Sequence, residues 1–87
     1  MSRMTIGDVF FIRGRGTVAT GCVESGRLRV ADEVRVNGAL AVTVDCIEAF
    51  RKKLSEANPG DNVGVVFSTL ERSQLNRGDL LTAPGLV

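Results

Sequence analysis

Glycine-bearing turn signals cut this chain into short pieces. They fall at Gly14 and Gly16, Ser25-Gly26, Asn37-Gly38, Pro59-Gly60 and Gly78. The pieces between them are rich in β-branched residues and carry no sustained helical period, so they read as strands. Asp8–Arg13 is one such run. Thr17–Gly26 alternates between two faces. Arg27–Gly38 alternates polar and apolar and closes on Asn-Gly, the strongest short hairpin signal. Ala39–Phe50 follows with Leu40, Val42, Val44 and Cys46 on one side. Asp61–Leu70 is a further strand, and Asp79–Pro84 closes the series. The stretch from Arg51 to Asn58 admits either a short helix or a continuing strand. Glu71–Leu75 admits a single helical turn. Pro59-Gly60 suits the two central positions of a type II turn. The sum is an all-β chain of about six strands, a sandwich or a closed barrel. A barrel leaves no unpaired edge in so small a chain.

Length and composition bound the function. The 87 residues suit one domain, 1–87, with a modest core. Net charge is +1, which singles out no class of partner. There is no His, Tyr or Trp. That removes the commonest metal ligand and the usual general base, so no metal, no cofactor and no catalytic residue is assigned. Cys22 and Cys46 lie apart, without a C-x-x-C pattern, and are expected as buried free thiols in a reducing, cytoplasmic setting. No apolar run approaches the ~20 residues of a membrane-spanning helix. No membrane partner is expected.

The stretch Phe11–Cys22, FIRGRGTVATGC, resembles a phosphate-binding loop. A P-loop reads G-x-x-x-x-G-K-[ST]. Gly16 and Gly21 have the right separation, but Cys22 and Val23 stand where lysine and a hydroxyl residue are required. The dinucleotide fingerprint fits only nominally, with Ala19 in its third glycine position, and its following residues are poor helix formers. A turn between two strands is the better reading. The Arg77-Gly78-Asp79 tripeptide likewise reads as a turn.

Taken in order, DVFFIRGRGTVATGCVESGRLRVADEVRVNG, then CIEAFRKKLSEANPGDNVGVVF, then RGDLLTAPG closely resemble the second domain of elongation factor Tu and the β-barrel shared by translational GTPases. The resemblance runs from about Thr5 to Gly85. It implies a closed six-stranded Greek-key-type barrel and a non-catalytic module, with GTP held by a different domain and none bound by this chain. It also implies a translation partner, the 3′ end of aminoacyl-tRNA or ribosomal RNA. Carried over by motif, the RNA-binding residues would be an apolar wall of Ile12, Gly14, Val18 and Val66. Glu48 would stand at the pocket edge, Arg51 near phosphate, and Asn62 beside Phe10 and Thr20. A stand-alone barrel is the expectation for such a chain.

Strand parity offers a test of that set. Phe10, Ile12 and Gly14 share a face, as do Val18 and Thr20, and Asn62 and Val66. The opposite faces hold Val9 and Phe11, Ala19 and Val23, and Val63, Val65 and Phe67, the expected barrel interior. A plainer reading also fits. Gly14, Gly16, Gly21, Gly60 and Gly64 would mark bends, and Glu48 with Arg51 would form a surface ion pair. In that case the former interdomain surfaces would take a protein partner or a second copy of the chain, most simply as a two-fold dimer.

Overall fold

Turn chemistry sets the strand lengths. The computed structural model describes residues 2–83. It comprises β1 (Ser2–Ile12), β2 (Gly16–Ser25), β3 (Leu28–Arg29), β4 (Glu33–Val36), β5 (Leu40–Thr43), β6 (Cys46–Ala49), β7 (Lys52–Leu54), β8 (Glu56–Ala57), β9 (Asn62–Phe67) and β10 (Leu80–Ala83). One 3₁₀ turn, Arg72–Gln74, falls where a single helical turn is expected. The Arg51–Asn58 stretch is neither a helix nor one continuing strand: it holds the short strands β7 and β8, which belong to different sheets.

Asn37 and Gly38 have φ of 51° and 74°, and the Ala39 N–H donates to the Val36 carbonyl at 3.0 Å. Both central residues at positive φ is what a tight two-residue hairpin requires. Asn58-Pro59-Gly60-Asp61 closes with Asp61 N–H on the Asn58 carbonyl and Gly60 at φ 91°, as a type II turn demands.

The strands form an eight-stranded sheet of order β5-β4-β10-β1-β2-β9-β6-β7 and a separate ribbon, β3-β8. The sheet curls into a half-barrel rather than the closed six-stranded barrel expected, for two reasons. Arg27–Gly38 is not one strand: Ala31, at φ 76°, breaks it into β3 and β4. Ala39–Phe50 is not one strand either. At Val44 the chain leaves β5 and binds the backbone of Ala31 and Asp32, and Asp45 N–H donates to the Val66 carbonyl. The chain thus crosses from one end of the sheet toward the other. Among the described residues β5 and β7 are not paired with each other. The short ribbon contributes Leu28 and Ala57 to the same core.

The core follows the alternation on most strands. Ala19, Val23, Val63, Val65 and Phe67 are buried as expected, and Ile47 and Leu81 join them. In β1 the period shifts: Ile6 pairs with Gly21 and Asp8 with Thr20, which leaves Gly7 as an extra residue. This β-bulge lets Met4 and Ile6 before it, and Val9 after it, all enter the core. Phe11, expected inside, is 58% exposed. Its strand neighbour on the outer side, β10, pairs only with Ser2–Thr5, so the far half of β1 is an edge with little packed against it. Its partner on the same rung, Thr17, is buried instead, and its hydroxyl donates to the Leu70 carbonyl at 2.6 Å.

Candidate nucleic-acid interface

The outer face of β1-β2-β9-β6-β7 is built from cross-strand rungs. One rung runs Phe10, Val18, Val66, Cys46. The next runs Asp8, Thr20, Gly64, Glu48, Lys53. A third joins Cys22 to Asn62. Residues two apart in a strand share a face, so these rungs present their side chains together. Cys22 is exposed and Cys46 partly so. Their expected burial is therefore corrected: each neighbours a core residue, Val23 or Ile47, and so points outward.

Thr20, Glu48 and Asn62 line a shallow open depression of ≈ 250 Å³, whose wall includes Phe50 and whose floor includes Gly64. A Cβ at Gly64 would lie 3.4 Å from Val18 Cγ1 and 3.8 Å from Thr20 Cγ2. The bare backbone keeps that floor low. Phe10 is 41% exposed on the adjoining rung. Val18 and Val66 lie on this face by register but outside the main core cluster, and both are buried. Ile12 and Gly14 stand at the β1–β2 turn. Gly16, paired with Ile12, is four residues from Thr20, about 13 Å along the strand. The nine candidate residues therefore spread along one face instead of closing around a single pocket. Arg51 sits in the β6–β7 turn that borders the depression, exposed, at φ 65° beside Phe50 at φ 52°.

Glu48 does not pair with Arg51. Its carboxylate accepts from Arg15, with Arg15 Nη2 2.5 Å from Glu48 Oε2 and 3.9 Å from Cys46 Sγ. Arg15 thus reaches from the β1–β2 turn past Cys46 to Glu48 on the next rung. The hydrogen bond from Arg15 holds the Glu48 carboxyl below its ordinary range, against the opposing effect of partial burial, with Lys53 assisting. Glu48 in turn raises the Arg15 guanidinium further. Sequence reasoning assigned Arg15 only to a turn. The available signal was the pair of arginines flanking Gly14 in a hairpin next to the outward rungs.

Among the described residues, no group of three or more His, Cys, Asp or Glu is placed to hold a metal ion, and no helix is long and apolar enough to cross a membrane. The sequence matches the family model for elongation factor Tu domain 2 over residues 16–82.

Proposed function

This chain belongs to the elongation factor Tu domain 2 family, a non-catalytic translation-factor β-barrel module, and from that premise we propose that its outer face binds the 3′ end of an RNA, a tRNA acceptor end or a ribosomal segment. The observation that carries the reading is the meeting of Thr20, Glu48 and Asn62 around one depression, with Arg51 on its rim and Lys53 across from Glu48. A splayed terminal base offers donors and acceptors on its edge and a flat apolar face. Glu48 accepts from an adenine amine, Asn62 both donates and accepts, and Phe10 and Phe50 supply apolar contact. Arg51 meets the backbone phosphate as a charge-assisted donor. This chain binds no GTP in this reading, because the lysine and hydroxyl of a P-loop are missing from its glycine-rich turn.

Affinity is weak, since few phosphates are met and net charge is +1. Fluorescence anisotropy with labelled single strands tests the assignment. Arg51→Ala should weaken all strands alike and flatten the salt dependence by roughly 0.7 in the log–log slope, one phosphate's worth. Glu48→Ala should instead erode the preference for a terminal adenosine. Equal binding by wild type and both variants contradicts the reading.

A second reading rests on Phe50 at 93% and Phe11 at 58% exposure. These rings suit a protein partner or a second copy of the chain. Sedimentation at high protein concentration tests self-association: a concentration-dependent dimer lost in Phe11→Ser supports that reading, and a monomer throughout counts against it.

A further inference from the structure

One carboxylate oxygen of Glu48, Oε2, is already engaged. It is held by a guanidinium from another element, with Cys46 beneath the same nitrogen. A ligand amine that takes Oε2 competes directly with Arg15 for it. A neutral ligand would leave that guanidinium without its anion, whereas a ligand bearing a phosphate hands it a new one. The exchange replaces one charge-assisted hydrogen bond by another.

We propose that Arg15 is a latch on this site, a positioning residue that biases Glu48 toward a ligand carrying both an amino-bearing base and a phosphate. The proposal rests on the RNA reading above and assigns its specificity: nucleotide ends bind more tightly than free nucleosides. Geometry supports the swing. Arg15 precedes Gly16 at φ 117° and follows Gly14 at φ 84° in an exposed turn, and its side chain is 36% exposed. The guanidinium can leave Glu48 without opening the core. Glu48, at 28% side-chain exposure, stays fixed on β6 by pairing with β9 and β7. The two partners differ in freedom, so the arginine moves and the carboxylate remains.

The chemistry separates two ligands that share a base. Adenosine offers the exocyclic amine for Glu48 but nothing for Arg15. A CCA trinucleotide offers both. Removing the arginine therefore has opposite effects on the two, which loss of folding or of general surface charge cannot produce.

The test measures binding of adenosine and of a CCA trinucleotide to wild type and to Arg15→Ala by NMR titration, with the amide spectrum of each free protein confirming its fold. Wild type should bind the trinucleotide at Thr20, Glu48 and Asn62, and adenosine more weakly at the same place. In Arg15→Ala, adenosine should bind about two- to fivefold more tightly, the range set by opening an exposed ion pair. The trinucleotide should weaken, with its salt slope flatter by roughly 0.7. If the trinucleotide lands on the depression of the wild type but Arg15→Ala leaves adenosine unchanged or weaker, the latch is overturned and the RNA reading stands. If neither ligand shifts those residues in either protein, both fall.

Discussion

Glu48 shows how much one side chain's neighbours decide. Its place at the pocket edge came from the family resemblance, and its outward direction follows from the burial of Ile47 beside it. Its partner was not legible. Arg15 is thirty-three residues away, on a turn whose side-chain direction no strand period predicts. The pairing has a pH consequence with a definite sign. The Glu48 carboxyl lies below its ordinary value in the folded chain, so the charged pair contributes above the unfolded carboxylate range. That contribution is lost as pH falls through the depressed folded value. Both partners are substantially exposed, which keeps it small. In Arg15→Ala the Glu48 carboxyl should titrate nearer the ordinary range, as read by carbon-13 NMR of the carboxyl group. An unchanged titration would show that Arg15 does not sit there. Glycines make a sharper residue-scale prediction. A Cβ at Gly21 would stand 2.4 Å from the Thr5 carbonyl oxygen and 3.2 Å from Met4 Cε. Backbone cannot move aside cheaply. Gly21→Ala should cost roughly 1–3 kcal/mol in urea denaturation. A cost below a few tenths would show that β1 and β2 are not so close.

Elements were legible where turns carry Gly or Asn and opaque where they do not. Asn37-Gly38 and Pro59-Gly60 announced their turns in the sequence. Phe50-Arg51 did not, yet both residues take positive φ between Ala49 and Lys52, which pair across the hairpin. Bulky residues are strained there, by roughly 1–3 kcal/mol each. The strain is stored at the rim of the proposed site, in the residues that would meet the RNA. Replacing the pair by Asn-Gly, through Phe50→Asn with Arg51→Gly, should therefore stabilise the chain by about 1–2 kcal/mol while weakening RNA binding. Urea denaturation alongside anisotropy reads both effects. A variant that is less stable, or that binds RNA as wild type does, contradicts this account. The β1 bulge was equally hidden. A strict period of two puts Ile6 and Val9 on opposite faces, and only the extra residue at Gly7 brings both into the core.

At the scale of the molecule, the all-β class followed from the turn spacing, but barrel closure did not. Closure depends on where Ala31 and Val44 redirect the chain, and both are ordinary apolar residues in apparently continuous strand patterns. Asp45 anchors that redirection. Its carboxylate accepts from the Ser68 N–H at 2.6 Å and hydroxyl at 2.9 Å, which ties the crossing to the end of β9. Asp45→Ala should destabilise the whole fold by about 1–3 kcal/mol in thermal or urea unfolding, from two lost hydrogen bonds to a charged group. No loss would mean that the crossing is held elsewhere. The same crossing delivers β6 to β9 and so brings Glu48 beside Gly64, level with Thr20. Fold and proposed function thus depend on one connection. The most direct measurement is an NMR titration of the intact chain with a single-stranded oligonucleotide ending in CCA, against the same strand lacking the terminal adenosine. The account predicts that Thr20, Glu48, Arg51 and Asn62 shift together and saturate together, and that the shorter strand moves them less. Shifts scattered over the half-barrel, or none at these four residues, would contradict it.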